Sequence, residues 1–376
     1  MNNRRFRLLL IVVLAVLAFR VAWSVPAAPE RVVAIGDIHG DLDDFVKILQ
    51  RAGLIDTNRR WTARNTTLVQ TGDMVDRGPK SRGILDLVMQ LQKDASRQNS
   101  RFIVLLGNHE VMDMYGDLRY VVPADYASFA DDKSERRRKS AFESYAGLNE
   151  STAAANEEQW MKDHPAGFIE HRQAFGPDGK YGKWLRSLPA VAKVNDSIFL
   201  HGGLKTDFAT FKIEQINEAV SNEIKAFDAY QKYMTEEKIV LPFFTLKEMT
   251  DAATAALKET KEADADRRKF LEGFLKYGTW MTVNTDGPLW FRGYAEWSDD
   301  QGAPQLAQLT KAFAVTRFVV GHTPQPGHIT PRFNGQVYLI DTGMLSSYFP
   351  GGQASALEIQ DQKVTAIYAN ETKPLN

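Results

Sequence analysis

Five short strings in this 376-residue chain carry side chains able to hold metal ions: Gly36-Asp37-Ile38-His39-Gly40, Gly72-Asp73-Met74-Val75-Asp76-Arg77-Gly78, Gly107-Asn108-His109-Glu110, His201-Gly202-Gly203 and Gly321-His322-Thr323. The sequence has seven histidines, and four of them (His39, His109, His201 and His322) fall inside these strings. Cysteine is absent, which excludes a thiolate zinc site, a disulfide frame and a cysteine nucleophile. Asp, Asn and His without Cys is the donor set of a hydrolytic two-metal centre, which acidifies a bound water and holds a phosphoryl group. Asp37 and His39 flank Ile38 on an extended segment and can turn toward one ion. Asp73 can give an oxygen to each of two ions, and Asn108, His201 and His322 complete the second with neutral donors. Ions roughly 3.5–4 Å apart leave room for a bridging hydroxide that attacks phosphorus in line. Any one string could arise by chance. Five in order are hard to obtain as core packing.

The residues just before each string supply what must position it. Arg31-Val32-Val33-Ala34-Ile35 precedes Gly36, Thr67-Leu68-Val69-Gln70-Thr71 precedes Gly72, and Phe102-Ile103-Val104-Leu105-Leu106 precedes Gly107. Ser197-Ile198-Phe199-Leu200 precedes His201, and Arg317-Phe318-Val319-Val320 precedes Gly321. A compact apolar run that stops abruptly at a glycine or a polar residue reads as a buried strand ending in a functional loop. Leu42 to Ala52 and Lys80 to Ala95 place apolar residues three and four apart, which is helical spacing. The alternation predicts a parallel-type α/β core with its site at the carboxyl ends of the strands.

Two long inserts, Val111 to Trp184 and Phe211 to Thr279, interrupt this pattern and are expected to form a largely helical cap over or beside the cleft. The charged run Asp131 to Lys139 in the first reads as a solvated helix face or loop rather than a nucleic-acid patch. Val337 to Asp341 and Ala354 to Tyr368 read as further strands of a second sheet.

With 44% hydrophobic and 25% charged residues the chain has an ordinary globular composition. Its net charge of -1 gives no basic field for nucleic acid or an anionic membrane. The N-terminus differs: a basic head, Asn2 to Arg7, precedes the apolar run Leu8 to Phe19, and Ala22-Trp23-Ser24 offers small residues at the spacing of a signal-peptidase site. That run is shorter than the ~20 residues of a full span. Residues 1–24 are therefore expected to be a cleaved signal peptide, with a retained membrane anchor as the alternative, and the protein is expected to be exported, periplasmic or secreted.

Together the strings resemble the calcineurin-like metallophosphoesterases, and Gly-Asp-Met-Val-Asp-Arg-Gly narrows the resemblance to their phosphoprotein phosphatase branch. Ala52-Gly53-Leu54-Ile55-Asp56, Gly182-Lys183-Trp184-Leu185-Arg186 and Gly287-Pro288-Leu289-Trp290-Phe291-Arg292 extend it to the Shewanella-like phosphatases, from about Arg31 to Tyr368. The resemblance implies an α/β (α+β) fold centred on a β-sandwich of two mixed sheets flanked by helices, with residues 31–368 as the catalytic domain. It implies a metal-dependent phosphomonoesterase acting on a phosphoprotein or phosphopeptide, at phosphotyrosine, phosphoserine or phosphothreonine. Asp37, His39 and Asp73 would hold one ion, and Asp73, Asn108, His201 and His322 the other. Manganese is the first expectation, and iron, zinc and cobalt also suit oxygen and imidazole donors.

The same resemblance makes His109 the acid that protonates the leaving oxygen, with Asp76 orienting its ring. It makes Arg77 and Arg292 phosphate clamps. A phosphodiesterase or a nucleotide or small-phosphate hydrolase on the same scaffold is the alternative. Asp76 and Arg77 favour the monoesterase, because a second arginine contact suits a dianion. Glu110 is expected to bond around the site without touching metal, and His164, His171 and His328 to be structural. Trp160, Trp184, Trp280, Trp290 and Trp297 are expected to anchor core and cap. Met344-Leu345-Ser346-Ser347-Tyr348 stands where eukaryotic cytosolic members carry Ser-Ala-Pro-Asn-Tyr. Their toxin inhibitors and regulatory subunits are therefore not expected to transfer.

Overall fold

Helices and strands alternate along the chain in a computed structural model that describes residues 31–148 and 157–375. Strand β1 (Arg31–Ile35), helix α1 (Leu42–Arg51), β2 (Thr66–Gln70), α2 (Ser81–Arg97) and β3 (Arg101–Val104) form the first unit. Helix α1 starts where the Asp41 carboxylate accepts the Asp44 N–H, and it buries Phe45, Val46, Ile48 and Leu49 on one face. The first insert contributes α3 (Asn108–Tyr115), α4 (Pro123–Phe129), α5 (Ser134–Leu148), α6 (Glu157–Asp163), α7 (Phe168–Phe175) and α8 (Lys180–Leu185). Strands β4 (Val191–Val194) and β5 (Ser197–Leu200) follow, then α9 (Ile213–Glu236), α10 (Leu246–Glu259) and α11 (Ala265–Leu275) of the second insert. Helices α12 (Gly293–Glu296) and α13 (Asp299–Phe313) lead into β6 (Arg317–Val320), β7 (Thr330–Arg332) and β8 (Val337–Leu339). Strands β9 (Ser355–Gln360), β10 (Lys363–Tyr368) and β11 (Thr372–Pro374) close the chain.

The strands form two mixed sheets, ordered β11-β10-β9-β1-β2-β3 and β4-β5-β6-β8-β7. Strands β1, β2 and β3 are parallel neighbours, as are β5, β6 and β8. This is the parallel core the strand-helix-strand spacing predicts. The assignment of Ala354 to Tyr368 to the second sheet is corrected: β9 pairs antiparallel with β1 and β10 with β9, so both extend the first sheet. A tight turn at Asp361 and Gln362, both with positive φ, makes the β9–β10 hairpin local, and β9 covers the free edge of β1. Periodicity alone does not say which sheet edge a hairpin joins.

Apolar side chains from both sheets meet in one core, with Val32, Ala34, Val69 and Leu357 from the first facing Phe199, Val319 and Tyr338 from the second. Their alternates, Val33, Ile35, Leu68, Ile198, Leu200, Phe318 and Val320, point outward to the helices. Strands buried on both faces explain the uninterrupted apolar runs of the sequence. The first insert is less polar inside than its composition suggests: Tyr126, Ala141, Trp160, Phe168 and Ile169 form a separate small core. The charged run lies at α5, where Arg137 pairs with Asp131 and Glu170, and Arg138 bonds the His164 and Met161 carbonyls. The expected leader, residues 1–24, lies outside the described residues. Among the described residues no helix is long and apolar enough to cross a membrane.

Candidate metal and phosphate site

All five strings lie in the loops at the carboxyl ends of β1, β2, β3, β5 and β6, and the loops hold one another. The Ile38 and His39 N–H groups both donate to the Asp73 carbonyl, at 2.9 and 3.0 Å. The His109 N–H donates to Asp73 Oδ1 at 3.0 Å, and the His322 N–H to Asp37 Oδ1 at 3.0 Å. The Glu110 carboxylate accepts three main-chain N–H groups, from Asp73, Met74 and Gly107, at 2.7–2.8 Å. Glu110 therefore bonds around the site, as expected. Two glycines allow the closest approach: a Cβ on Gly78 would lie 2.3 Å from the His39 carbonyl oxygen, and one on Gly40 would lie 2.5 Å from Gly78. His39, Asp73, Asp76, Arg77 and His322 all have φ between 47° and 69°, left-handed backbone that side-chain-bearing residues rarely adopt. Such residues cost about 1–3 kcal/mol each unless their surroundings dictate the conformation, and they gather at functional sites.

The histidines separate by the partner behind each ring. His39 Nδ1 lies 3.0 Å from the Val75 carbonyl, His201 Nδ1 3.0 Å from the Thr71 carbonyl, and His322 Nε2 3.0 Å from the Trp290 carbonyl. A carbonyl only accepts, so each ring donates from that nitrogen and leaves the other free to ligate. His39 Nε2 lies 3.8 Å from Asp37 Oδ2 and 3.6 Å from Asp73 Oδ2. His201 Nε2 lies 3.2 Å from Asp73 Oδ2 and 2.9 Å from Asn108 Oδ1. Two sets of buried donors share Asp73: His39 with His109, and His201 with His322, the ligating atoms of each set lying within 4.8 Å of one another.

His109 differs in chemistry, though not in proximity. Its Nδ1 meets a carboxylate, Asp76 Oδ2, at 2.6 Å, and its Nε2 lies 3.8 Å from Asp73 Oδ2. Burial pushes its pKa down, but Asp73 and Asp76 outweigh it and raise the ring above the ordinary histidine value. Burial and the neighbouring His109 outweigh Asp73 at His39, which falls to about 3 and is neutral. The backing partner, not the charge alone, separates the roles: a carboxylate behind the ring keeps a proton on His109, whereas carbonyls stand behind His39, His201 and His322. On this ground Asp37 fits beside His39 and Asp73 better than His109 does.

Arg77 and Arg292 stand at the edge of this cluster. Arg77 Nη2 lies 3.2 Å from His109 Nε2. Arg292 Nη1 donates to the His322 carbonyl at 2.8 Å and to Thr323 Oγ1 at 3.1 Å. All ten residues singled out from the sequence are thus brought together. Three others at the site were not singled out. Asp341, at the end of β8, is buried beside Asp37, and burial raises it to about 6. It follows an apolar strand like the other aspartates, but it lacks the neighbouring histidine that drew attention to them. Tyr120 and Tyr348 flank Arg77, whose guanidinium carbon lies 5.1 and 3.9 Å from their ring centres. Both are exposed; Tyr348 ends the C-terminal Met344-Leu345-Ser346-Ser347-Tyr348 motif, but nothing in the sequence connects it with Tyr120 or Arg77. The three histidines outside the strings stay outside the site: His164 stacks on Trp160, His171 is buried among Tyr126, Phe129 and Phe175, and His328 is exposed beside Tyr368.

The family profile of the calcineurin-like phosphoesterases matches residues 30–326, which include all five strings. The chain belongs to that family. It is 27% identical over 348 residues to Shewanella-like protein phosphatase 1 of Plasmodium berghei, covering 90% of this chain and 74% of that one. It is 35% identical over 211 residues to Shewanella-like protein phosphatase 2 of Arabidopsis thaliana, covering 53% of each. The crystal structure of a cold-active protein-tyrosine phosphatase from a psychrophilic Shewanella superposes with a TM-score of 0.62 at 22% identity, over 93% of this chain and 81% of that one. This metallophosphoesterase therefore has the two-sheet fold of its relatives and is a metal-dependent phosphatase.

The donor set fits metal ions, and its proton inventory gives a test. Burial lowers the His201 pKa, but Asp73 and Asp37 face the ring and carry it up to about 9. Without metal, His201 is therefore protonated below about pH 9 and must lose that proton to ligate. Apparent affinity for manganese should rise with pH through neutrality and level off near pH 9. Calorimetry in buffers of different ionisation enthalpy should show proton release at pH 7.5. Binding without proton release would remove His201 from the ligand set.

Proposed function

We propose that this phosphatase is a dinuclear phosphomonoesterase whose substrates are phosphorylated protein side chains, phosphotyrosine first among them. The observation that carries the monoesterase reading is the division among the histidines: three backed by carbonyls, one backed by a carboxylate. Asp37, His39 and Asp73 would hold one ion, and Asp73, Asn108, His201 and His322 the other. Bound there, the ions supply Lewis acidity toward the phosphoryl oxygens and an acidified water. Manganese suits the donors.

The chain's own residues do the rest. Arg77 Nη2 lies 3.2 Å from His109 Nε2, so the phosphate clamp and the proposed acid stand side by side over one phosphoryl group. Arg77 binds and orients the phosphate through its fork. Arg292, held by the His322 carbonyl and Thr323, keeps further N–H groups for a second phosphate oxygen. His109 gives its Nε2 proton to the leaving oxygen while Asp76 stabilises and aims the ring. The rings of Tyr120 and Tyr348 border the same arginine and offer an aryl leaving group stacking surfaces. Relatives named as protein phosphatases support a phosphoprotein substrate.

With manganese added, the protein should release phosphate from p-nitrophenyl phosphate and not from its bis ester. Tyr348→Ala should raise KM for phosphotyrosine peptide more than for phosphoserine peptide. A preference for the bis ester or for nucleotides would replace the monoesterase reading with that of a diesterase or nucleotide hydrolase.

His109→Ala should lower kcat on an alkyl phosphate by about 10²-fold or more and affect p-nitrophenyl phosphate less, because only a poor leaving group needs the proton. Equal losses would exclude His109 as the acid.

The basic head and apolar run at the N-terminus support export, and mass analysis of the mature protein should find a start after Ser24. An intact Met1 in a soluble protein would overturn this.

A further inference from the structure

Asp76 and Arg77, behind and beside His109, are consecutive residues with φ of 69° and 67°. Neither is glycine, so this conformation persists only where neighbours impose it. Their main-chain N–H groups are bound by partners that the first insert supplies or holds. The Arg77 N–H donates to the Tyr120 carbonyl at 2.9 Å. The Asp76 N–H donates to Ser81 Oγ at 3.2 Å, and the Ser81 N–H donates to Asp125 Oδ1 at 3.1 Å. Ser81 thus links the two, accepting the Asp76 N–H at its hydroxyl and donating its own N–H to Asp125.

Asp125 lies in α4 and is 1% exposed. Its carboxylate sits at the start of α2, where the N-cap residue Lys80 makes no side-chain cap. Asp125 thus caps a helix 44 residues earlier in the chain. Burial raises its pKa to about 6, which leaves it ionised at neutral pH. Another tie runs in parallel, from Arg82 Nη1 to the Ser128 carbonyl at the end of α4.

We propose that Asp125 is a positioning residue for the phosphatase reaction: through Ser81 it fixes the main chain of Asp76, and through Asp76 the ring of His109. The first insert is then part of the proton-donating apparatus as well as a wall of the cleft. The proposal rests on the reading of His109 as the acid.

Steady-state kinetics of the manganese-loaded full chain test it. Asp125→Ala should lower kcat on an alkyl phosphate, such as a phosphoserine peptide, about tenfold, the scale of a small misplacement of a reacting group. KM and bound metal should be unchanged, and p-nitrophenyl phosphate should be turned over at nearly the parent rate. Ser81→Ala should do the same, and the double variant should add little, because both act along one relay. Asp125→Asn, which keeps an acceptor oxygen, should recover most of the loss. Ser81→Ala, a smaller change, serves if Asp125→Ala does not fold by circular dichroism. Parent kcat on the alkyl ester in folded Ser81→Ala, or equal losses on both esters, would overturn the proposal. His109→Ala measured alongside separates the two readings. If it shows no leaving-group dependence the acid assignment fails; if it does while Ser81→Ala and Asp125→Ala do not, only the positioning role fails.

Discussion

The carboxylate of Glu110 accepts N–H groups from two strand ends at once, Asp73 and Met74 after β2 and Gly107 after β3. The rest of the site depends on that junction. It fixes the left-handed backbone of Asp73, whose carbonyl holds Ile38 and His39 and whose carboxylate holds the His109 N–H. A buried carboxylate with three such donors is strongly localised. The ligands are consequently placed by backbone-anchored geometry, and their side chains need little freedom to find the ions. Strain concentrated in five site residues is tolerable because the cross-bonded loops leave those residues no alternative conformation.

Much of this was readable from residue types. The Gly-Asp, Gly-Asn-His and Gly-His strings name the ligand loops because chemistry and backbone demand coincide in them: donors sit beside glycines where two loops must touch. Apolar runs locate β1, β3, β5 and β6 because strands buried on both faces are largely apolar, and β2, with buried Thr66, Thr67 and Gln70, is marked more by the Gly-Asp that ends it. The readable part ends where contacts are set by docking instead of by pattern. The β9–β10 hairpin is a clear pair of strands, but its place beside β1 follows from edge coverage, which leaves no mark in local sequence. Tyr120 and Tyr348 meet at Arg77 across 228 residues, and Asp125 meets Ser81 across 44. In each case the residue type is ordinary, and only the fold makes it special.

The electrostatics divide a cluster of similar groups into unlike roles. Burial depresses every histidine here, and what each ring faces decides the outcome. His39 falls to about 3, whereas His201, facing Asp73 and Asp37, rises to about 9 without metal. His109 is raised by Asp73 and Asp76. Ions would neutralise the carboxylates that hold the His201 proton, while Asp76 stays bonded to His109 Nδ1 at 2.6 Å. The site can therefore contain basic ligands and an acid within one hydrogen-bonded cluster.

The first insert carries its own aromatic core, with Tyr126, Trp160, Phe168 and Ile169 packed apart from the sandwich. The rest of the insert is not private: Phe129, Phe175 and Tyr181 join the main core, and Phe243 of the second insert packs on Trp160. The insert is therefore a buttress as well as a wall, its weight carried by the same packed interior that carries the catalytic loops.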